Sequence, residues 1–287
     1  MPVAGPSVEE LAHEYVMNKI FNDNSKKMLL IRLAANILPP LGNVSAIRLP
    51  DSHLDGYIQT RRKHGVKYST IIRELNDIQA ILNWSVARRP PLIPANPVRS
   101  YKKPKAEIPA ILPPTVQETN AILSESAPHL KRAILLSYYL GLRPGRVEML
   151  NLTWQNVNWE SNEVLIISAG KGGPIKRLVP IHTNLVHSLK KWYFQDKGKG
   201  YLIHIRGTPM QSIKTAWKGA LKRAGITRRI RPYDLRHGFI TTALENEPDY
   251  KSVSEIVGSR PETIMRHYQH VTTKQRRKTI NTIPALE

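Results

Sequence analysis

Cysteine is absent from the 287 residues of this chain, which excludes disulfide bonds, thiolate metal ligands and a cysteine nucleophile. A membrane-spanning segment is also missing. The longest apolar run, residues 133–142, is interrupted by Ser137 and is too short to cross a bilayer. The acidic N-terminus lacks the apolar core of a signal peptide. We therefore expect a cytoplasmic protein that has no membrane partner.

Acidic residues are scarce relative to basic ones. The chain has 22 Asp and Glu against 43 Lys and Arg, so the formal net charge is +21 and the isoelectric point is near 10.2. Hydrophobic residues make up 41% of the chain, which is enough to form cores and excludes a disordered basic tail. Such a folded chain points to a polyanionic partner, nucleic acid first and an anionic membrane surface second. The alternative is a soluble basic protein without such a partner.

Cofactor motifs are missing as well. The sequence contains no phosphate-binding loop, dinucleotide-binding fingerprint, HExxH pair or zinc-finger spacing. His267 and His270 lie about one helical turn apart, but they lack a carboxylate or a third ligand. Such a pair is more typical of polar surface than of a metal site. We expect no cofactor and no metal.

Proline divides the chain into two parts. Prolines crowd residues 90–114, and each one fixes φ and removes a backbone donor. Lysine and arginine residues lie among them, so the segment is typical of an extended basic linker. We predict a helical domain over residues 1–100, a linker over 101–114 and a second domain over 115–287.

Hydrophobic spacing predicts helices in the first half and a mixed second half. An apolar stripe over residues 71–86 has helical spacing, and another helix over 27–38 should end at Pro39-Pro40. A capping box begins a helix over 115–126, and Gly141 ends a helix over 129–140. Apolar runs at 163–168 and 175–181 flank a Gly-rich turn, which predicts a β-hairpin. Further helices are expected at 184–195, 211–224, 234–246, 250–257 and 261–270.

The predicted fold class is therefore mainly α with a small antiparallel β-sheet in the second domain. The first domain is predicted to be an N-terminal helical bundle, because no strand pattern precedes residue 150. Four segments of the second domain carry the residues of chemical interest. They are GLRPGRVEMLNLTW at 141–154, SAGKGGPIKRLVPIH at 168–182, RPYDLRHGFITTAL at 231–244 and VGSRPETIMRHYQHV at 257–271.

These segments supply the groups for phosphoryl transfer without a metal. Arg143 and Arg236 can hold the non-bridging oxygens of a phosphodiester with their planar guanidinium groups. Lys171, at the turn of the hairpin, can protonate a leaving alkoxide. Tyr268 can attack phosphorus and form a covalent intermediate.

The order and spacing of these segments resemble those of the tyrosine recombinases, or phage integrases, over about residues 107–283. Gly141-Leu142-Arg143 resembles the first arginine motif, and Asp234-Leu235-Arg236-His237 resembles the second. Lys171 lies at the hairpin turn where the family has its lysine, and Tyr268 lies in the His-Tyr-Gln-His context of the nucleophile. The helical first half is similar to the family's core-binding domain, which makes residues 115–287 the catalytic domain.

The resemblance implies a site-specific recombinase that cleaves and rejoins duplex DNA. Arg143 and Arg236 would hold the scissile phosphate, Tyr268 would form a 3′-phosphotyrosine link, and Lys171 would protonate the 5′ oxygen. Glu148 and His237 would support the site. The reaction would need neither ATP nor metal. It would take place in a homotetramer on two DNA sites, formed from a chain that can be a monomer when free, and the gene would be bacterial or phage-borne. We expect either a chain from which the family's frequent N-terminal arm-binding domain has been removed or a simpler recombinase without one.

Two positions depart from the family pattern. Tyr233 and Ser259 replace the histidines that usually lie three residues before the second arginine and nine residues before the nucleophile. Both can donate a hydrogen bond to a phosphate oxygen, but neither can act as a base near pH 7. We expect activity to survive with a weakened general-base step. Arg146-Val147 are two extra residues before Glu148.

Plainer interpretations remain open for single residues. Arg143 could simply complement a helix end, Lys176 is a rival for the role of Lys171, and Tyr268 alone would more often be a core residue. For the whole chain, the alternatives are a catalytically weakened DNA-binding member of the family and a type IB topoisomerase. The remaining basic clusters predict contacts to DNA phosphates. Their members are Arg61, Arg62, Lys63, Lys102, Lys103, Arg228 and Arg229.

Overall fold

The computed structural model describes residues 5–106, 112–170, 173–246 and 249–268. The chain divides into two compact units, residues 1–109 and 110–287, each with its own hydrophobic core. The fold class is confirmed: helices predominate, and the sheets are small and antiparallel. No helix among the described residues is long and apolar enough to cross a membrane.

All the secondary-structure elements named in the described part of unit 1 are helices. Its longest helix, Tyr68–Val86, confirms the stripe read from the sequence, because Ile71, Leu75, Ile78 and Leu82 are all buried. These side chains pack in one core with apolar residues of the other helices. The α-helices are α1 (Val8–Asn18), α2 (Asp23–Arg32), α3 (Leu38–Leu41), α4 (Asp51–Lys63) and α5 (Tyr68–Val86).

The expected helix end at Pro39-Pro40 is wrong. A π-helical turn, Leu33–Ile37, joins α2 to α3, and the two prolines lie in the first turn of α3. The N–H of Leu38 donates to the carbonyl of Leu33 across that π turn. Proline is tolerated at the start of a helical turn, where its missing N–H leaves no intrahelical bond broken. The chain therefore continues in helical form through both prolines to Leu41.

The proline-rich segment is not an extended linker over its first part, which corrects the prediction for residues 90–103. Ile93 and Val98 are buried in the core of unit 1. Tyr101 donates to Asp55 at 2.6 Å, and Lys103 donates to Asn76 at 2.5 Å. The prolines shape turns around buried apolar side chains, so the segment packs against its own unit. Residues 107–111 lie outside the described residues.

A buried carboxylate links α4 to α5. Glu74 is fully buried, and it accepts hydrogen bonds from the Tyr57 hydroxyl at 2.7 Å and from two guanidinium nitrogens of Arg61 at 2.6 and 3.0 Å. Burial and the neighbouring carboxylate raise the pKa of Tyr57, so its hydroxyl stays protonated and can donate. Arg61 therefore has an internal partner, which corrects the expectation that it is an exposed phosphate contact. The adjacent Arg62 is exposed.

We predict that Arg61→Ala lowers the free energy of unfolding of unit 1 by about 3–5 kcal/mol, because it leaves the Glu74 charge buried without its cation. The matched control is Arg62→Ala, which removes an exposed arginine of the same helix and should cost less than about 1 kcal/mol. Urea unfolding of the two variants measures the difference. Equal stabilities would show that the pair of Arg61 and Glu74 contributes nothing.

Unit 2 contains the hairpin and the remaining helices. Its helices are α6 (Val116–Ser124), α7 (Pro128–Leu140), α8 (Thr183–Gln195), α9 (Lys214–Arg223), α10 (Pro232–Asn246), α11 (Tyr250–Val257) and α12 (261–268). The strands β1 (Val157–Asn158), β2 (Glu163–Gly170) and β3 (Gly173–Pro180) form one antiparallel sheet, and β4 (His204–Ile205) pairs with β5 (Thr208–Pro209). The capping box at Thr115, the helix end at Gly141 and the hairpin are all confirmed.

Candidate active site

The two arginines of the recognised motifs are each held by the carboxyl end of a helix. Arg143 follows α7 and donates to the carbonyl of Gly258, the C-cap of α11, at 2.5 Å. Arg236 lies on α10 and donates to the carbonyl of Gly141, the C-cap of α7, at 2.8 Å. The last carbonyls of a helix have no intrahelical donor and carry partial negative charge, so they suit a cation. The ends of α7 and α11 thereby fix both guanidinium groups in one place.

Both caps require glycine. Gly141 and Gly258 have φ of 60° and 65°, in the left-handed region that L-residues with a side chain rarely adopt. A Cβ at Gly141 would lie 2.7 Å from the ring of Phe239, and one at Gly258 would lie 2.8 Å from the guanidinium of Arg177. A side chain at either position would therefore displace the groups that surround the arginines.

Glu148 lies at the centre of the arginine cluster and is buried. Its carboxylate accepts from the backbone N–H of Arg143 at 2.9 Å and from the guanidinium of the same residue. It also accepts from Arg177 at 3.0 Å and from the hydroxyl of Ser168 at 2.6 Å. Arg236 lies 4.0 Å away. Burial alone would raise the pKa of Glu148, but the hydrogen bonds from Arg177, Ser168 and Arg143 lower it to about 2.

Arg177 was missed by the sequence reasoning. It lies on β3 and is nearly buried, and besides Glu148 it donates to Ser168 at 2.7 Å and to the carbonyl of Ile256 at 2.8 Å. It therefore joins the hairpin to the loop that follows Arg143 and to the end of α11. One signal was available, because strand alternation places Arg177 on the same face of β3 as the buried Val179. A charged side chain that faces the core is costly unless it pairs with a buried group of opposite charge.

The cluster carries an excess of positive charge. Three guanidinium groups, those of Arg143, Arg177 and Arg236, surround the single carboxylate of Glu148. Burial, together with the charges of the other two arginines, lowers the pKa of Arg236 to about 10, so it remains charged at neutral pH. The side chain of Arg143 is 28% exposed, which leaves it open to a ligand. An anion with one negative charge, such as a phosphodiester, would reduce the repulsion among the arginines.

Tyr268 is the last described residue, and its ring is almost fully buried in a small apolar cluster formed by α10, α11 and α12. Its hydroxyl is hydrogen-bonded to Nδ1 of His237, the residue after Arg236. Burial raises the pKa of Tyr268 and lowers that of His237 to about 4. At neutral pH the imidazole is therefore uncharged and the phenol is protonated.

The two residues that depart from the family pattern lie next to Arg236. The hydroxyl of Ser259 accepts from its guanidinium at 2.8 Å. Tyr233 is 37% exposed, and the centroid of its ring lies 5.0 Å from that of His237 and 6.0 Å from the guanidinium carbon of Arg236. Both residues therefore border the site.

Lys171 and Lys176 are the two candidate lysines of the hairpin segment. Lys171 lies outside the described residues, between the end of β2 at Gly170 and the start of β3 at Gly173. Lys176, its rival, is exposed on β3. Because it precedes Arg177, strand alternation places it on the face opposite Glu148. That position disfavours Lys176 for a role beside the arginine cluster.

The other basic residues named from the sequence fall into two groups. Arg62, Lys63, Lys102 and Arg229 are exposed. Arg228 is held inside its unit by Glu118, at 2.5 and 2.6 Å, and by the carbonyl of Pro113 at 3.1 Å, and Lys103 is bonded to Asn76. Within the described ranges no group of three or more His, Cys, Asp or Glu residues could hold a metal, and His270 lies outside them.

We predict that Glu148→Gln lowers the free energy of unfolding by roughly 3 kcal/mol at pH 7, the equivalent of the pKa shift. The folded-state pKa is depressed, so the stabilisation is present above about pH 4.5 and is lost as the pH falls toward 2. The gap between the two proteins should therefore shrink over that interval in urea unfolding. The control is Glu160→Gln, an exposed turn residue. A gap that is constant from pH 7 to pH 3 would contradict the prediction.

Comparison with known proteins places this geometry in a family. A family model described as the phage integrase family matches residues 113–275. The tyrosine recombinase XerC of Xanthomonas axonopodis pv. citri (strain 306) is 25% identical over 233 residues, which are 77% of this chain and 73% of the relative. The tyrosine recombinase XerA of Thermococcus onnurineus (strain NA1) is 34% identical over 194 residues, 64% of this chain and 66% of the relative.

Solved structures show the same fold. The Tn1549 transposon integrase in complex with a circular intermediate DNA has a TM-score of 0.78 at 15% identity, with 98% of this chain and 100% of that chain covered. A lambda integrase dimer bound to a COC′ core site has a TM-score of 0.72 at 14% identity, with 88% and 95% covered. The family match spans more than half of the chain and includes all four motif segments. The chain therefore belongs to the phage integrase family of tyrosine recombinases.

Proposed function

We propose that this chain is a site-specific DNA recombinase in which Tyr268 cleaves duplex DNA and becomes linked to its 3′ phosphate. The observation that carries the proposal is the convergence of Arg143 and Arg236 on Glu148, with the hydroxyl of Tyr268 held by the residue that follows Arg236. This arrangement supports the proposal because the proposed nucleophile is hydrogen-bonded to the residue next to one of the two proposed phosphate-binding arginines.

The arginines would bind the scissile phosphate and stabilise the transition state. A phosphodiester that is attacked by an oxygen gains charge on its non-bridging oxygens, and guanidinium groups fixed in advance stabilise that charge without reorganisation. Arg236 is anchored by Gly141 and Ser259, and Arg143 by Glu148 and Gly258. Glu148 would position both arginines without contacting the DNA, since it is buried beneath them.

The leaving group would be the 5′ oxygen, which needs a proton as the P–O bond breaks. By family resemblance, Lys171 at the hairpin turn would act as this general acid. The energy of the phosphodiester bond would be kept in the phosphotyrosine link, so a second DNA strand could reverse the reaction without ATP. Neither a metal nor a cofactor is required for these steps.

The DNA would be held by the exposed basic residues of both units. Four exposed residues, Arg62, Lys63, Lys102 and Arg229, would contact phosphates. Such contacts fix the register of the duplex without reading its sequence.

A lambda integrase tetramer bound to a Holliday junction shares the fold, with a TM-score of 0.72 at 14% identity. We propose a homotetramer on two DNA sites for the active form. As a DNA recombinase related to bacterial XerC proteins, it would act in the cytoplasm.

The test is the recovery of a covalent adduct. The full chain is incubated with a pool of nicked duplexes that includes random sequences and genomic fragments of the encoding organism. A nick near the cleavage point lets the short strand diffuse away, so the phosphotyrosine link is trapped and resists denaturation by SDS. We expect an adduct with the wild-type chain and none with Tyr268→Phe. A wild-type chain that binds the pool but gives no adduct would indicate the DNA-binding alternative.

We predict that Arg143→Gln reduces adduct formation on the recovered duplex by at least about 100-fold while changing DNA affinity little, because its main contribution is to the transition state. The control, Arg229→Gln, should weaken binding and lower the salt slope of binding by about one, with little effect on cleavage by the bound protein. Gel-shift titrations over a salt series and single-turnover cleavage separate the two effects. A loss of affinity like that of Arg229→Gln, with normal cleavage by the bound Arg143→Gln protein, would contradict a transition-state role for Arg143.

A further inference from the structure

The nucleophile of the proposed reaction must lose a proton, and the usual acceptors are missing. Tyr233 and Ser259 stand where the family usually has histidine, and neither can take up a proton near pH 7. Ser259 already accepts a hydrogen bond from Arg236. Another group in contact with the Tyr268 hydroxyl would have to serve as the base.

We propose that His237 is the catalytic base that accepts the proton of Tyr268. This inference rests on the proposed function, because it assigns a role within the same cleavage step. His237 Nδ1 is within hydrogen-bond distance of the Tyr268 hydroxyl, so an imidazole with its proton on Nε2 can accept the phenolic proton without rearrangement. His237 also follows Arg236 directly on α10. The segment that binds the phosphate therefore places the base as well.

The surroundings of His237 keep it neutral in the absence of DNA. Burial lowers its pKa to about 4, Asp234 opposes this shift, and the cations Arg231 and Arg236 reinforce it. The charged or titratable groups that act on or contact the imidazole are Arg231, Tyr233, Asp234 and Arg236 from α10 or the residue before it, and His267 and Tyr268 from α12. A neutral imidazole has a free lone pair, which is what a proton acceptor needs.

Binding of DNA would make His237 a stronger base. The scissile phosphate would bring a negative charge next to Arg236 and offset part of the positive field that acts on the imidazole. The pKa of His237 should therefore rise when the substrate binds. Base strength would then depend on the presence of a phosphate, and the buried phenol would keep its proton until one is bound.

The step balances without any further reactant. The O–H bond of Tyr268 breaks and its proton moves to Nδ1 of His237, while the phenolic oxygen forms a bond to phosphorus. The P–O5′ bond breaks, and the 5′ oxygen takes its proton from the general acid, which the family resemblance places at Lys171. In the rejoining step a 5′ hydroxyl gives its proton to the general acid, which the first step left deprotonated, and its oxygen attacks phosphorus. The bond between phosphorus and the Tyr268 oxygen breaks, and the imidazolium returns its proton to the departing phenolate.

The test compares two substitutions that separate a base from a hydrogen-bond partner. His237→Asn keeps an acceptor oxygen near the position of Nδ1 but cannot hold a proton at neutral pH, whereas His237→Ala removes both functions. On the duplex recovered with the wild-type chain, we expect both variants to form adduct about 10²- to 10⁴-fold more slowly at pH 7, the usual value of general-base help. His237→Asn with near wild-type rates would overturn the proposal.

The pH dependence and chemical rescue provide readouts that a structural role would not change. In both variants the rate should rise with pH as hydroxide replaces the missing base, whereas the wild-type rate should level off once the imidazole is neutral. Added imidazole should restore part of the rate to His237→Ala. Parallel pH profiles in the wild type and the variants would contradict the proposal. Tyr233→His should give no substantial gain, because the acceptor is already present.

A measurement without DNA tests the assignment of His237 as the base independently of the proposed function. The ¹⁵N NMR spectrum of histidine-labelled protein should show neutral His237 at pH 7 with its proton on Nε2 and Nδ1 unprotonated, and Tyr268→Phe should shift the Nδ1 signal. A protonated Nδ1 would overturn the assignment of the base. A wild-type chain without adduct would instead overturn the proposed function, whatever this spectrum shows.

Discussion

The buried carboxylate of Glu148 is the interaction on which the arrangement of the site depends. Three guanidinium groups so close together repel one another, and burying any of them without an anion would cost several kcal/mol. Glu148 offsets this repulsion, and its bond to the backbone of Arg143 also fixes the loop that leaves α7. Because Arg177 binds the same carboxylate, the hairpin is joined to that loop. The site is therefore built around one buried anion that three arginines share.

The sequence predicted those parts of the fold that have strong local causes. The stripe of α5, the capping box of α6, the glycine that ends α7 and the hairpin each depend on residues that are close in the chain. The predictions failed where the local structure depends on contacts with residues that are distant in the chain. Pro39-Pro40 does not end the helix, because a π turn precedes it. The proline-rich segment packs on unit 1, because Ile93 and Val98 are buried in that core. No local pattern signals either outcome.

In the candidate site, too, some residues could be predicted from local sequence and others could not. Arg143, Arg236 and Tyr268 could be named because each lies in a short motif, and the motifs occur in a recognisable order. Arg177 was missed, since strand alternation marks only its core-facing register, and its partner Glu148 is far away along the chain. The bond between His237 and Tyr268 likewise joins α10 to α12. Linear motifs identify groups that would contact a substrate, whereas the residues that hold those groups become visible only in three dimensions.

The structure shows that some of the arginines behind the net charge of +21 are paired inside the protein. Within the described part of the chain, every ion pair between a Lys or Arg side chain and a carboxylate involves arginine, including Arg61, Arg132, Arg177 and Arg228. The planar guanidinium group can bind a carboxylate with two parallel hydrogen bonds and is weakly hydrated, so it suits partly buried pairs. The lysine ammonium group is strongly hydrated and acts as a point charge. Arginine thus forms the partly buried ion pairs and the arginine cluster, while exposed lysines and arginines together supply the outward charge that attracts a polyanion.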